Sequence, residues 1–337
     1  MRENILLTRD LGDVFDSILE IYKTIEQDRN RRNSDKELKD ICLEYMQETS
    51  RIYRYDLPRE SDRVDFSDPL KQWSYMFVYT LRHVDLVSYA LDATSDIGIL
   101  KDSDACCSPT VCMIGGGPGS DVLGLSIHLR EHGHTAPMSS RLHVLDKYTE
   151  WQGTWQLFHQ HLPERFNLAI PEMKYHAFDF EDNDLSLEHQ EIVKSSNIVT
   201  MIKSLSPVAA WLRTRKKLNR DGVETDDCTS VFEWHSVFSI LKHMKPGAFL
   251  LYIDNRTGPQ RRILMDALEC FDFEILYDHV LDGRQFLSNS VFSVSARVFM
   301  IEFGYNPCTV AGINEVILLK KKPYSENFVD VDSILDS

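Results

Sequence analysis

At 337 residues, 43% hydrophobic and 26% charged, the chain is long enough for one large domain with an appendage or for two ordinary domains. Its 37 basic and 52 acidic residues leave a formal charge of -15, which argues against a free-standing nucleic-acid coat or a binder of anionic membranes, while a local basic patch is still allowed. Seven cysteines at scattered spacing match neither a disulfide framework nor a zinc ribbon, the apolar run near the amino terminus is far too short for a signal segment, and no stretch reaches the roughly 18 apolar residues of a membrane span. The expectation is a soluble protein of a reducing compartment, cytoplasmic, with the nucleus also open.

From Leu11 to Tyr89 apolar residues recur at helical spacing. Val14, Ile18, Ile21 and Ile25 form one stripe, and Leu38, Ile41, Tyr45 and Ile52 a second. The Ser34-Asp35-Lys36-Glu37 capping-box pattern predicts the start of the second helix. Asp68-Pro69, an N-cap carboxylate before a first-turn proline, predicts a third start, followed by a largely buried helix from Trp73 to Leu91. Beyond Leu100 short β-rich runs alternate with helical ones, predicting strands at Val111–Gly115, Leu142–Asp146, Tyr175–Asp179, Ile198–Lys203 and Ala248–Asp254. The intervening helices fall at Asp121–Glu131, Thr149–His161, Leu185–Lys194, Phe232–His243 and Pro259–Cys270. Phe273–Val280, Arg297–Phe303 and Glu315–Lys321 read as further strands with no helix long enough to separate them. The whole is an α/β fold: a doubly wound, mostly parallel sheet with antiparallel C-terminal strands and a helical N-terminal region. The boundaries are 1–104 for the helical region, 105–322 for the sheet domain and 323–337 for an acidic, mobile tail.

The motif richest in chemistry is VCMIGGGPGSDVLGL, an apolar strand running into Gly115, Gly116, Gly117 and Gly119 and then into a helix opened by Ser120 and Asp121. Such a turn lets backbone approach a ligand that a Cβ would obstruct, and the exposed helix amides then face that ligand. The plain alternative is a glycine-rich turn between a buried strand and its helix. Asp146 ends the next strand, where a carboxylate can accept both hydroxyls of a ribose. Asp179 and Phe180 end the third, where the carboxylate can take a purine amine and the ring can cover its face. A solvated strand-end acid and a helix cap are the respective alternatives.

This arrangement resembles the class I S-adenosylmethionine-dependent methyltransferase superfamily over roughly residues 105–322. Gly115, Gly117 and Gly119 match its G-x-G-x-G motif, Asp146 its second-strand acid, Asp179 its third-strand acid, and Met244-Lys245-Pro246-Gly247-Ala248 the turn before its fifth strand. The resemblance implies S-adenosylmethionine as cofactor, held by those residues with the adjoining Gly116 and Lys147. Met113 departs from the pattern where the first strand often carries an acid, with Asp121 as a substitute. It further implies methyl transfer, with the acceptor near the ends of the fourth and fifth strands, at Ser204, Ser206 and Asn255. No D-P-P-Y or N-P-P-Y tetrapeptide occurs, so nothing points to an adenine-N6 or glutamine-amide acceptor. The acceptor is RNA, protein or a small molecule, and no catalytic residue is assigned.

Two other readings compete. A dinucleotide cofactor needs G-x-G-x-x-G, which tolerates the small Ser120 but fits the alternate-position glycines less well. A catalytically silent, cofactor-binding sensor or scaffold is the alternative from another class. Among the remaining features, the basic run Arg213–Arg220 is a candidate contact for an RNA or protein partner, or else a solvated helix face. Trp73, Tyr75 and Tyr79 are candidate acceptor contacts, Trp151, Trp155 and Phe158 a packing stripe, and His132-Gly133-His134 solvated surface, so no metal site is expected.

Overall fold

A computed structural model describes residues 5–30, 37–51, 64–97, 109–132, 141–163, 172–180, 182, 184–206, 235–256, 260–282, 291–307 and 313–323. The amino-terminal stripes become helix α1 (Ile5–Asn30), burying Val14, Ile18 and Ile21, and helix α2 (Leu38–Arg51). The buried face of α2 is Leu38, Cys42, Met46 and Thr49, rotated from the expected stripe. Tyr45 is drawn to the edge because its hydroxyl donates to Asp68 Oδ2 at 2.9 Å. Ser34 and Ile52 lie outside the described residues.

Asp68 caps α3 (Pro69–Tyr75) as expected, its Oδ1 accepting from the Leu70 amide at 2.8 Å. A π-helical turn, Met76–Thr80, joins α3 to α4 (Leu81–Ala93). Trp73 is fully buried and donates its indole N–H to the Ile18 carbonyl at 2.8 Å, so it is a core residue and not the acceptor contact expected of it.

Strands β1 (Thr110–Ile114), β2 (Arg141–Asp146), β3 (Met173–Ala177), β4 (Ile198–Ile202) and β5 (Phe249–Asn255) are mutually parallel wherever they pair. β6 (Phe273–Asp282) and β7 (Ile313–Lys321) close the sheet in the order β3-β2-β1-β4-β5-β7-β6, with β7 antiparallel to both neighbours. All five residues of β4 are buried, which suits a strand covered on both faces. The connecting helices are α5 (Ser120–Glu131), α6 (Trp151–His161), α7 (Leu187–Ser195), α8 (His235–His243) and α9 (Gln260–Leu268). Chain order reverses between β1 and β4, which opens a crevice at the carboxyl ends of those strands.

The segment expected as a strand at Arg297–Phe303 is instead helix α10 (Val294–Phe303), which lies between β6 and β7. β-branched and aromatic residues gave it a strand-like composition, but both ends carry helix stops. Ser293 Oγ accepts from the Ala296 amide at 3.0 Å, and Gly304 closes the helix in the left-handed region. Helical spacing then stacks Phe299 on Phe303 and sets both against Tyr22 and Phe77. Tertiary packing overrides the local preference.

One core joins α1 to α6 and α10 to one face of the sheet, and a second joins α7, α8 and α9 to the other. Helices α4 and α5 pack tightly at Gly124, where a Cβ would lie 2.6 Å from Val87 Cβ and 2.9 Å from the Val84 carbonyl oxygen. Gly124→Ala is therefore expected to destabilise the protein by about 1–3 kcal/mol through overpacking, read as a lower urea midpoint; an unchanged midpoint would contradict this packing.

Candidate functional site

At the end of β1 the Gly115 amide donates to the Leu145 carbonyl at 2.7 Å, extending the parallel pairing by one residue before the chain turns. Gly115 has φ +66°, and a Cβ there would lie 2.8 Å from Ser204 Cβ, so both backbone conformation and space call for glycine. The Gly119 amide donates to the Gly116 carbonyl at 2.8 Å, and Gly119 is the N-cap of α5.

The next strand holds this loop. Asp146 Oδ2 accepts from the Gly117 amide at 3.0 Å, and its Oδ1 accepts from the Tyr148 amide at 3.0 Å. From β3, the Tyr175 hydroxyl donates to the Gly117 carbonyl at 3.1 Å. Burial and the charges of Asp146 and Asp121 raise the phenol's pKa well above its ordinary value, so Tyr175 stays a protonated donor. Burial likewise pushes Asp146 up to about 6, against the opposing pull of its two amides and with a contribution from Asp179. A carboxylate offers about four acceptor positions, and two of these are taken by backbone.

Gly115, Asp146, Asp179, Phe180, Lys203 and Asn255 all keep partial solvent exposure around the crevice. Lys147 Nζ pairs with Asp179 Oδ2 at 2.6 Å across the ends of β2 and β3. The Phe180 ring stands beside Gly115, 3.9 Å from where a Cβ would be. Ser204 Oγ, also beside Gly115, is buried with no hydrogen-bond partner among the described residues. Gly116 and Gly117 are enclosed, Gly117 by the Trp151 indole at 3.4 Å from its would-be Cβ. Asp121 is not at the opening. It is 3% exposed, accepts from Ser120 Oγ and Thr200 Oγ1 beneath the loop, and is pushed up to about 7 by burial.

Ser206 and Asn255 are tied into a network. The Ser206 amide and Leu205 amide donate to Asp254 Oδ2 at 3.0 and 3.2 Å, Ser206 Oγ donates to Asp254 Oδ1, and Asn255 Nδ2 donates to Ser206 Oγ at 3.1 Å. Lys203 completes it, donating to Asn255 Oδ1 at 2.7 Å and to Asn314 Oδ1. Among the described residues Lys203 is the one non-glycine with positive φ, 58°, a strained geometry at the end of β4. The resemblance puts Lys203 in the stretch where an acceptor would sit, but its left-handed backbone was not legible, because no residue type marks such strain.

Sequence reasoning did not single out His83. This residue is buried on α4, its ring 6.2 Å from that of Tyr79, and the positive charges of Arg82 and Lys203 add to burial in pushing its pKa well below the ordinary value. The imidazole is neutral at neutral pH. Tyr75 and Tyr79 pack together at 5.1 Å between ring centroids, and Tyr75 stands 5.9 Å from Trp151. Trp151, Trp155 and Phe158 are buried as expected of a packing stripe. Arg213–Arg220 and the tail from Tyr324 lie outside the described residues. No helix among the described residues is long and apolar enough to cross a membrane.

No family model matches the chain, and no curated protein matches it. Among solved structures it is similar to a Listeria monocytogenes protein named as a class I S-adenosylmethionine-dependent methyltransferase, with 9% identity, TM-score 0.42, and coverage of 96% of this chain and 90% of that one. It is also similar to an O-methyltransferase family protein from Burkholderia thailandensis (12% identity, TM-score 0.39, 86% and 71% covered) and a SAM-dependent methyltransferase from Methanosarcina mazei (13%, 0.37, 64% and 94%). At these scores the fold rests on strand order: five parallel strands, a reversal between β1 and β4, and an antiparallel β7 inserted between β5 and β6. That order makes it an open, doubly wound α/β sheet with an antiparallel end.

Within that fold Tyr175 is the side chain that fixes the glycine loop from β3. Tyr175→Phe is expected to cost about 0.5–1.5 kcal/mol of stability by removing the bond to the Gly117 carbonyl, measured by chemical denaturation; no loss would mean that the bond does not hold the loop.

Proposed function

We propose that this chain binds S-adenosylmethionine in the crevice above β1 and β4 and transfers its methyl group to an acceptor approaching from the α4 side. The observation that carries the reading is Asp146, which locks the Gly117 amide and retains two free acceptor positions at a partly exposed opening. A ribose diol supplies the two donors those positions need. The unpartnered Ser204 Oγ beside Gly115 is a second polar group that a ligand would satisfy. The donor set therefore fits the cofactor: the loop from Gly115 to Gly119 admits the methionine portion, Asp146 takes the ribose, and Phe180 with the Asp179–Lys147 pair borders the adenine. With the Asp121 carboxylate already bonded to Thr200 and Ser120, it has a weaker claim on the methionine amine than its place in sequence suggested.

When bound, the cofactor supplies an electron-poor methyl carbon on a sulfonium. The protein's part is chiefly to hold the acceptor in line with that carbon and to exclude water. Lys203, fixed between Asn255 and Asn314, presents a positive charge at the end of β4 and so favours an anionic or electron-rich acceptor on that side. The basic run Arg213–Arg220 remains our proposed contact for a phosphate-bearing or protein acceptor.

Calorimetric titration of the full chain with S-adenosylmethionine and, separately, NADH tests the cofactor. Saturable binding of the first is expected, weakened about tenfold or more by Asp146→Ala through loss of charge-assisted hydrogen bonds. Affinity should fall as pH drops through about 6, because protonation of Asp146 removes acceptor capacity that is present above that pH. Saturable binding of NADH alone would reverse the reading. Tritiated methyl transfer into fractionated cell extract tests activity: label in an RNA, protein or small-molecule fraction is expected, whereas binding with no labelled acceptor would favour a silent module.

A further inference from the structure

At the far end of α5 from the glycine loop, three metal-ligating side chains converge. His128 and His132 stand four residues apart on one face of α5, and Asp92 reaches them from the end of α4. His128 Nδ1 lies 2.5 Å, and His132 Nε2 3.1 Å, from the same atom, Asp92 Oδ1. One ligand atom from each residue lies within 4.8 Å of the other two. We propose that His128, His132 and Asp92 bind a zinc-class divalent cation that pins α4 to α5.

The ligand chemistry selects the ion. Two imidazoles and one carboxylate suit zinc, cobalt or nickel and not magnesium or calcium, which prefer all-oxygen shells. Tetrahedral zinc with bonds near 2.1 Å keeps its ligand atoms about 3.4 Å apart, so His132 and Asp92 are nearly in place and the His128–Asp92 pair needs to open by about 0.9 Å. His132 is 45% exposed in its side chain, which leaves a path for the ion and a position for a water as fourth ligand.

Acidic side chains with unbonded oxygens lie beside the site. Both carboxylate oxygens of Glu131 are buried with no hydrogen-bond partner among the described residues, and Asp85 Oδ2 on α4 is in the same condition. Arg130, the neighbouring cation on α5, is itself paired with Asp10 at 2.7 Å. The negative end of the α5 dipole points the same way. A divalent cation held by Asp92 would bring a positive charge beside these unbonded oxygens.

The site is distinct from the cofactor crevice, since the twelve residues of α5 put about 18 Å between them. Its role follows from the contacts of the two helices. Val84 and Val87 meet Gly124, and Asp92 meets His128 and His132, so α4 and α5 run side by side in the same direction. An ion at their shared carboxyl end would fix the register that seats Val84 and Val87 on Gly124.

The test uses the untagged full chain, stripped with chelator and titrated with Zn²⁺ by calorimetry and with Co²⁺ by visible absorption. One ion per chain is expected, with the intense d–d bands of tetrahedral cobalt and a rise in Tm on zinc addition. Because His132 is exposed, His132→Ala should fold normally yet bind zinc at least tenfold more weakly and lose both the cobalt bands and the Tm rise; Asp92→Asn should do the same. Absence of saturable uptake by the wild-type chain, or equal affinity in the His132→Ala chain, would overturn the proposal. Cofactor affinity measured in parallel separates this outcome from any failure of the methyltransferase reading.

Discussion

The bond between the Asp146 carboxylate and the Gly117 amide is the constraint on which the crevice depends. A loop of three consecutive glycines has much conformational freedom to lose, and a backbone amide at its apex must find an acceptor. Asp146 supplies one from the neighbouring strand, while its other oxygen gathers the Tyr148 amide at the start of the next connection. One side chain thereby links the ends of β1 and β2. Its position is forced in turn by the parallel register that pairs Ile114 with Leu145, one residue before Asp146 and three before Gly117. The same desolvation that makes the carboxylate effective as a loop clamp raises its pKa, so loop order depends on a titrating group.

The helical amino-terminal region is joined to this arrangement through a continuous core. Helix α4 lies against α5, and the segment from Val291 through α10 returns from the far edge of the sheet to pack on α1. The rim of the crevice is built by residues distant in sequence: Gly115 after β1, Asp146 from β2, Asp179 and Phe180 after β3, Lys203 after β4 and Asn255 from β5. Such a site gains its shape only when the sheet is assembled.

Much of this was legible in the chain itself, and for identifiable reasons. The apolar runs at β1, β4 and β5 are buried almost throughout, which made them legible, whereas β3 carries Lys174 and His176 and spans Met173–Ala177, two residues earlier than the expected Tyr175–Asp179. The glycines at 115, 117 and 119 and the acid at 146 were found because turn geometry restricts residue choice. What escaped was decided by contacts between distant segments. Arg297–Phe303 looked like a strand by composition, yet Ser293, Gly304 and the aromatic seam with Tyr22 and Phe77 make it a helix. Trp73 looked like a binding aromatic and is instead a buried anchor on Ile18. The left-handed backbone at Lys203 gave no warning, because it leaves no compositional trace. His132 was paired in sequence with His134, whereas helical spacing and α4 bring it to His128 and Asp92.

The most direct measurement is the amide spectrum of the ligand-free protein, followed by NMR as pH is varied. If Asp146 holds the loop, the Gly117 amide proton shift will titrate with a midpoint of about 6, and Asp146→Asn will abolish the transition while the Gly119 amide, bonded to the Gly116 carbonyl, follows it only weakly. A Gly117 amide that is flat across this range, or that titrates with the ordinary midpoint of an exposed carboxylate near 4, would contradict the account.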